Sequence, residues 1–555
     1  MKKKIAVCAA LAALLAALIL LTGCPRRAPE RVFTAGTTIP ITFTFFNADA
    51  PGSMPWDDPV AQRITEITGV SLQVDGPVGG ADQQAIALMI ASGRYPDLIF
   101  AKGNLGMLIE AGAVIPLDDL IATKGNHIRE LYGDKLGRLR HSLQDPRIYH
   151  VGTFGVNEPH WTTDGTLQLQ HAVLRELGFP EIRTLADLEW ALREYMARNP
   201  MINGQPTIGL SLLIGTWQWF ISLSNPGNFL IGYPDDGQWI VNQETLEATY
   251  KFLHPDMHYW FRWLNRMHAE GILDPESFTQ SEDTWQAKIA SGRVLSIAYP
   301  IWGYSAARTS LVNDGMEERT FAFLPVVADE RFVNPSLSNP GWGGGWGISI
   351  SSTSRDPERA FEFLNWMASE EAQILVNWGI EGENFIVVDG KRVVPPEEQH
   401  RINTDPDHER RTGVGRWVHP FPRWGRGGMD SAGNFITRDS PESIRQNLLP
   451  VEVETLAAYG AEMWIDLFPP SDALPAPRHG QAWQYTLPPD LNARLVEADN
   501  FVRTALVNMI MGSPDNFDAA WENMVQGLHR IRIDEANRAM TQLIRERVQL
   551  WEMER

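Results

Sequence analysis

Cysteine is almost absent from this sequence. Of its 555 residues only Cys8 and Cys24 are cysteines, and both lie near the amino terminus. The rest of the chain therefore has no disulfide framework, no cysteine-based metal site and no catalytic thiol.

Positive charge is also in deficit. The sequence has 48 Lys and Arg against 68 Asp and Glu, which gives a formal net charge of −20. A chain this acidic is repelled by a phosphate backbone, so we expect no nucleic-acid partner. The 555 residues, 44% of them hydrophobic, are enough for two or more domains.

Motifs of common enzyme classes are missing as well. The run GWGGGWG at 341–347 does not fit the dinucleotide fingerprint G-x-G-x-x-G in any register, and no P-loop motif occurs. There is no G-x-S-x-G elbow and no calcium loop with its central glycine. His254 and His258 have a spacing that could hold a metal, but Pro255 between them favours a helix start at His254. We therefore expect no cofactor and no metal.

The first 24 residues carry a clear signal. Three lysines precede a long uncharged apolar stretch, which is typical of a secretory signal. Its end, LTGC, resembles the lipobox of bacterial lipoproteins, in which the cysteine is acylated and becomes the new amino terminus. The resemblance predicts a signal peptide at 1–23, lipid on Cys24 and a tether at 24–38 that is too polar to bury a core. An ordinary signal peptide with an incidental cysteine is the alternative.

Tryptophan is unusually abundant, with 20 Trp against 11 Tyr. Most of these indoles will be core residues. In an exported acidic protein they also suggest a ligand with flat apolar faces, such as pyranose rings.

Strand and helix patterns alternate after the tether. The segments 41–46, 70–76 and 95–100 are predicted as strands. Between the first two, Asp58 and Pro59 favour a helix start and Gly69 its end. This order predicts a parallel sheet covered by helices. Ligands of such sheets bind beyond the carboxyl ends of the strands, so the loops after Phe46 and Phe100 are candidate site loops.

Five stretches, in order, resemble the extracellular solute-binding proteins of bacterial ABC importers, in particular the large carbohydrate-type lipoproteins of family 1. They are ALMIASGRYPDLIF (87–100), HAVLRELGFPEIRTLADLEWAL (171–192), HYWFRWLNRMHAEGILDPESF (258–278), WQAKIASGRVLSIAYPIW (285–302) and SRDPERAFEFLNWMASEEAQILVNWGIEGENF (354–385).

The resemblance implies an α/β, periplasmic-binding-protein-like (type II) fold. Two α/β lobes would be joined by hinge strands, with the ligand cleft between them. The boundaries it implies are lobe one at 39–149, lobe two at 150–330, a return to lobe one at 331–352, and lobe two with a helical carboxyl-terminal extension at 353–555.

The function implied is that of a substrate-binding lipoprotein, not an enzyme. It would capture a carbohydrate, in particular an oligosaccharide, outside the cell and deliver it to the permease subunits of an ABC importer. We expect a monomer that is anchored to membrane lipid by its acylated amino terminus. Paired carboxylates of a glycosidase leave no sequence signature, so a secreted lipoprotein glycosidase remains an alternative. A binding protein for a peptide or another non-sugar solute is the second alternative.

Indoles can stack on sugar faces, while carboxylates, amides and cations bind hydroxyl groups. From the loops near the predicted cleft we expect ligand contacts from Asn47, Asp49, Trp56, Lys102, Asn104, Trp217, Trp219, Trp302, Tyr304, Trp342, Trp346, Trp378 and Glu381.

One further stretch, RRTGVGRWVHPFPRWGRGG at 410–428, is basic with interleaved aromatic residues, against the trend of the chain. It could form an anion-facing surface for an acidic sugar or for the transporter. We favour a long loop held on lobe two by Trp417, Phe421 and Trp424.

Overall fold

The computed structural model describes residues 39–77, 81–153, 155–156, 163, 167–215, 217–234, 237–484 and 487–553. The predicted signal peptide, Cys24 and the tether lie outside these residues. The strands are β1 Ile41–Asn47, β2 Val70–Asp75, β3 Leu98–Phe100, β4 Val151–Gly152, β5 Leu167–Gln170, β6 Met201–Ile202, β7 Gln205–Pro206, β8 Ile208–Leu210, β9 Trp239–Val241, β10 Ala248–Tyr250, β11 Val294–Ala298, β12 Phe321–Phe323, β13 Gly347–Ile350, β14 Ile386–Val388 and β15 Lys391–Val393.

Helices make up most of the remaining regular structure. They are Pro59–Thr68, Asp82–Ser92, Leu105–Glu110, Asp118–Lys124, Asn126–Tyr132, His171–Glu176, Leu185–Arg198, Asn225–Leu230, His258–Ala269, Glu282–Ala290, Ser305–Asn313, Pro357–Met367, Glu370–Trp378, Pro396–Thr404, His408–Thr412, Pro441–Gln446, Pro450–Ala458, Pro489–Met511, Phe517–Arg530 and Ile533–Glu552.

The first sheet has five strands in the order β2-β1-β3-β13-β4. β1 is parallel to β2 and β3, whereas β13 runs antiparallel to β3 and β4. The helix between β1 and β2 begins after Asp58, whose carboxylate accepts a hydrogen bond from the Ala61 amide, and ends at Gly69 with φ of 68°. The predicted strand–helix–strand order of this region is therefore confirmed. It brings the carboxyl ends of β1 and β3 to one edge of the sheet.

The second sheet has four strands in the order β12-β5-β11-β8. β8 and β11 are parallel, and β5 runs antiparallel to β11 and β12. All five residues of β11 are buried. Two core clusters meet at this strand, since Leu295 packs in the larger core and Val294 in a smaller one. The sheet is thus covered on both sides, which positions the loops after β8 and β11 at its carboxyl edge.

Two separate hydrophobic cores define two lobes. The core of lobe one lies around the first sheet and the core of lobe two around the second. The structure therefore has the two-lobed α/β fold that the sequence predicts.

The expectation that the chain stays in lobe two after residue 353 is wrong for the first part of that segment. The helices Pro357–Met367 and Glu370–Trp378 pack in the core of lobe one. There the Asn365 side chain accepts a hydrogen bond from the Ile128 amide at 3.1 Å. The reason is connectivity: only a short turn separates β13 from the helix that follows, so this helix must pack on the sheet that contains β13.

The last three helices pack in the core of lobe two. The side chain of Asn265 holds the end of Pro489–Met511 by donating to the carbonyl oxygen of Met509 at 2.9 Å. The final helix, Ile533–Glu552, also reaches lobe one, because the Arg138 guanidinium lies 4.5 Å from the ring centroid of Trp551. None of the helices in the described part of the chain is both long and apolar enough to cross a lipid bilayer.

Candidate ligand-binding site

The candidate site in lobe one lies at a single edge of the first sheet. β1, β3 and β4 end there, and β13 begins there because it runs in the opposite direction. Asp49 and Lys102 follow β1 and β3, Thr153 follows β4, and Trp346 immediately precedes β13. Sheet topology thus brings together side chains from four separate parts of the sequence.

Asp49 is at the centre of the polar groups. Its carboxylate forms an ion pair with the Lys102 ammonium and a hydrogen bond with Nε2 of His419, the latter at 2.8 Å. The Asn47 side chain accepts a hydrogen bond from the Asp49 amide at 3.0 Å and so fixes the backbone of the loop. Burial raises the pKa of Asp49, but the His419 hydrogen bond and the positive charge of Lys102 outweigh it, and the net pKa lies below the usual value. The site therefore holds a carboxylate that is ionised at neutral pH and can accept ligand hydroxyl groups.

His419 is a site residue that the sequence did not reveal. Its ring contacts Phe100 edge to face at a centroid distance of 5.2 Å, and its Nδ1 lies 3.3 Å from the Thr153 hydroxyl. The loop that carries it is held by Trp417 and Phe421, whose side chains are buried in lobe one. The interpretation of 410–428 as a clamped loop is thus right about the aromatic residues, but wrong about the lobe. The only sequence signal for His419 was its place in this basic, aromatic stretch.

The two tryptophans of the glycine-rich run have different environments. Trp346 is 38% exposed, and its Nε1 lies 4.0 Å from the position a Cβ of Gly103 would occupy. Trp342 is only 6% exposed and packs against the Tyr132 ring at a centroid distance of 5.6 Å. Trp342 is therefore a core side chain of lobe one, whereas Trp346 is partly exposed next to Gly103, the residue after Lys102.

Lobe two contributes a pair of exposed indoles. Trp217 follows β8 and Trp302 follows β11, so both lie at the carboxyl edge of the parallel pair. Their rings are nearly parallel, with an interplanar angle of 7° and centroids 6.4 Å apart. Trp217 is 59% and Trp302 54% exposed. These two rings, which we call the indole platform, present flat apolar surface to solvent.

Three predicted aromatic contacts are instead buried. Tyr304 is 1% exposed and its hydroxyl donates to the Gln168 side chain inside lobe two. Trp219 packs between Phe220 and Phe252. Trp378 donates from Nε1 to the carbonyl oxygen of Ile436 at 2.9 Å, within lobe one. An aromatic residue close to a strand is more often a core residue than a ligand-stacking one. These three side chains are packed in the protein interior.

The other residues that were predicted to contact ligand either make contacts within the protein or lie apart from the candidate site. Trp56 packs against Trp417 at a centroid distance of 4.4 Å, and the Asn104 amide donates to Asp82 at 3.3 Å. Asn47 is buried and acts on the Asp49 loop. Glu381 is exposed in the turn before the β14–β15 hairpin. No group of three or more His, Cys, Asp or Glu side chains is placed to hold a metal ion in the described ranges.

A cavity of about 800 Å³ lies on the lobe-two side of the glycine-rich run. It is lined by Tyr233, Trp239 and the loop 474–481. That loop contacts the run directly, because a Cβ on Gly341 would lie 2.7 Å from the Gly480 Cα. Volumes of this size accommodate small-molecule ligands.

Each lobe presents polar or aromatic side chains at the carboxyl edge of its sheet, which is where ligands of such sheets bind. Residues 60–377 match the family model described as bacterial extracellular solute-binding protein. This chain belongs to that family.

Individual relatives are distant. Lipoprotein LipO of Bacillus subtilis (strain 168) is 22% identical over 372 residues, which are 64% of this chain and 68% of that protein. The structure of alginate-binding protein AlgQ2 without calcium ion has a TM-score of 0.64 and 15% identity, over 93% of this chain and 99% of that one. The substrate-binding protein FusA of S. pneumoniae in complex with kestose also has a TM-score of 0.64 and 15% identity, over 91% and 99% of the two chains. These structural likenesses show a shared fold.

Proposed function

We propose that this protein captures an oligosaccharide outside the cell and delivers it to the permease of an ABC importer. The observation that carries the proposal is the indole platform of Trp217 and Trp302. Two parallel, exposed indoles at a sheet edge would be a liability on a surface without a ligand, but they suit the apolar faces of sugar rings.

The polar groups of lobe one support the same ligand class. Asp49, Lys102 and His419 offer a carboxylate, an ammonium and an imidazole within one hydrogen-bonded group. Such groups bind hydroxyls directionally, while Trp346 adds a further exposed ring. Closure of the lobes about their hinge would bring both kinds of group onto one ligand.

Related structures support a carbohydrate by analogy. Those with matching folds include an alginate-binding protein, a protein in complex with kestose, and a protein from Bifidobacterium longum infantis described as binding HMO. Family membership supports a location outside the cytoplasm. The LTGC motif, together with a relative named as a lipoprotein, supports a lipid anchor at Cys24. We propose a monomer that contacts membrane-bound permease subunits.

Titration calorimetry with the full-length protein and a panel of neutral and acidic oligosaccharides tests the proposal. We expect one ligand per chain and recovery of the sugar unchanged. Release of new reducing ends during the incubation would favour the glycosidase alternative and overturn the proposed function. Binding of peptides without binding of any sugar would overturn it in favour of the peptide alternative.

A further inference from the structure

A pair of polar side chains lies beside the indole platform in lobe two. Gln218 follows Trp217 in the sequence, and its Nε2 donates a hydrogen bond to a carboxylate oxygen of Glu282 at 2.9 Å. Gln218 is 5% exposed, whereas Glu282 is on the surface at the start of the helix Glu282–Ala290. We call Gln218 and Glu282 the polar pair. It joins a buried amide to a carboxylate that a ligand can reach.

The loop after β8 is fixed against the start of the helix Glu282–Ala290. The Gln280 side chain, just before this helix, donates a hydrogen bond to the carbonyl oxygen of Leu212 at 2.8 Å. The two backbones also come close together, since a Cβ on Gly215 would lie 3.0 Å from the carbonyl oxygen of Gln280. Buried hydrogen bonds of this kind make a loop rigid. The polar pair therefore has a defined position relative to Trp217.

The carboxylate of the polar pair is also close to the second indole of the platform. The Tyr299 ring contacts the Trp302 ring edge to face, with centroids 5.2 Å apart. Burial raises the pKa of Tyr299, and the negative charge of Glu282 raises it further. Because the interaction between charges weakens with distance, Glu282 lies near the ring that supports Trp302.

The side-chain amide of Gln218 has only one favourable orientation. Turned the other way, its Oε1 would face the Glu282 carboxylate, and two acceptors repel each other. In the observed orientation Oε1 is buried and has no hydrogen-bond partner within the described part of the structure. A buried polar atom without a partner destabilises a fold, and such atoms are rare. The need to hold Glu282 in one position explains why this one is retained.

The charge of Glu282 is not balanced by a cation. Among the residues that the structure describes, none forms an ion pair with it, and its hydrogen-bond partner Gln218 is neutral. The carboxylate of Asp49 differs, because Lys102 and His419 both bind it. A carboxylate can accept about four hydrogen bonds. Glu282 therefore keeps most of its accepting capacity for a ligand.

We infer that Glu282, oriented by Gln218, binds hydroxyl groups of an uncharged sugar ring that stacks on the indole platform, and that this subsite disfavours sugars with carboxylates. The inference rests on the proposed function and narrows its ligand class. A sugar hydroxyl donates a charge-assisted hydrogen bond to a carboxylate, whereas a uronate at the same place would bring two negative charges together. Glu282 is then a ligand contact and Gln218 a positioning residue.

Titration calorimetry on the full-length protein tests this inference with five trisaccharide probes. The neutral probes are maltotriose, cellotriose and kestose, and the acidic probes are trimannuronate and trigalacturonate. We expect at least one neutral probe to bind about tenfold more tightly than either uronate. This comparison needs no variant, so it holds even if a substitution disturbs folding.

Glu282→Gln should have different effects on the two kinds of sugar. It keeps the size of the side chain and removes its charge. Affinity for the neutral probe should fall about tenfold, while affinity for the uronates should stay the same or rise. Asp283→Asn is the matched control, because it removes an exposed negative charge from the next residue of the same helix. It should leave affinity for the neutral probe within about twofold of the native value.

Gln218→Met separates positioning from packing. It keeps the length of the side chain and removes both the Nε2 donor and the unpaired Oε1. Affinity for the neutral probe should fall, while the denaturant midpoint should not, because no buried polar atom is left unpaired at this position. In combination with Glu282→Gln the two losses of affinity should not add, since both act on one carboxylate. A side chain that only packs would lower the midpoint and leave the preference for neutral sugars intact.

The possible outcomes separate this inference from the proposed function. Tighter binding of the uronates than of the neutral probes, or an unchanged affinity of Glu282→Gln for the neutral probe, would overturn the inference and leave the proposed function standing. Equal losses in Glu282→Gln and Asp283→Asn would also overturn it, because a general effect of charge would explain them. Binding of no sugar at all, neutral or acidic, would overturn both.

Discussion

Asp49 and His419 are 370 residues apart in the sequence, yet His419 Nε2 lies 2.8 Å from a carboxylate oxygen of Asp49. Lys102 pairs with the same carboxylate. The contact joins the loop after β1 to the loop at 410–428. That second loop comes later in the sequence than β8 and β11, the strands that precede the indole platform. The contact forms because the chain re-enters lobe one at β13 and stays there through the two helices that follow.

Replacing Asp49 tests this group. Asp49→Asn removes the charge that His419 and Lys102 share, and an amide is a weaker hydroxyl acceptor than a carboxylate. We expect sugar affinity to fall about tenfold, or about 1.4 kcal/mol, by titration calorimetry. Glu66→Gln is the control, because it breaks an exposed ion pair with Arg63 in the same lobe and should leave affinity unchanged. Equal losses in both variants would point to a general effect of charge.

The indole platform gives a second prediction. Trp217→Ala and Trp302→Ala should each weaken sugar binding about 10- to 100-fold, because each removes apolar surface and one stacking face. The matched control is Trp190→Ala, since Trp190 is a similarly exposed indole on the helix Leu185–Arg198. Affinities come from the quenching of tryptophan fluorescence or from calorimetry. Unchanged affinity in both platform variants would remove the main support for a carbohydrate ligand.

The two indoles of the glycine-rich run should respond in opposite ways. Trp346→Ala should weaken binding more than tenfold and change stability little, because the ring is partly exposed at the site. Trp342→Ala should lower the free energy of unfolding by about 3–5 kcal/mol, because the ring is buried in lobe one. Chemical denaturation and calorimetry on the same preparations separate the two effects. A large stability loss in Trp346→Ala would mean that this ring also serves packing.

The glycines of this run are under steric constraint. Gly344 has φ of +91°, and a Cβ there would lie 2.6 Å from the carbonyl oxygen of Arg138. Gly344→Ala should therefore lower the free energy of unfolding by about 2–3 kcal/mol, since backbone strain and overlap add. Gly112 has φ of +63° with open space around it, so Gly112→Ala should cost only about 1 kcal/mol. Similar losses in a denaturation experiment would show that the glycine-rich run can relax.

His171 predicts a pH dependence of stability. Burial, with a smaller contribution from Arg308, lowers its pKa to about 3. The unfolded chain therefore binds a proton at pH values between about 3 and 6.5 where the folded chain does not. The contribution of His171 to the free energy of unfolding is fully present above the pKa that it has in the unfolded chain. As the pH falls below that pKa, this contribution decreases by about 1.4 kcal/mol per pH unit.

Denaturation at several pH values measures that slope. His171→Phe keeps an aromatic ring beside Trp464 and removes the titration, so its stability should fall less steeply with acid than that of the native protein. His529 is exposed, and His529→Phe should retain the native slope. Parallel curves for the native protein and His171→Phe would contradict the prediction.

Much of the fold could be predicted from local sequence. The cap at Asp58, the stop at Gly69 and the alternation of strands and helices follow from short-range chemistry. The lobe assignment of 357–421 could not be predicted, because it depends on which sheet β13 joins. Pairing between strands far apart in sequence leaves no local signal.

In the candidate site, too, some residues could be predicted from local sequence and others depended on tertiary packing. Loops after strands in a parallel sheet pointed to Asp49 and Lys102, because topology alone places such loops at the carboxyl edge. Trp217 and Trp302 were expected from the lobe-two assignment that the family resemblance implied. Trp219, Trp342, Trp378 and Tyr304 were indistinguishable from these by residue type, and only packing placed them in the cores. His419 could be found only from its long-range contact with Asp49.

The sequence by itself determined the class of protein, its two-lobed α/β fold and the strand ends at which a ligand can bind, because these follow from periodicity, caps and family-like segments. The tertiary structure alone decided which indoles reach solvent and which charges meet. Side chains hundreds of residues apart come into contact, such as Arg138 and Trp551, only after the last helix of lobe two packs against lobe one. Exposure and local electrostatic field are properties of that packed arrangement and not of any segment.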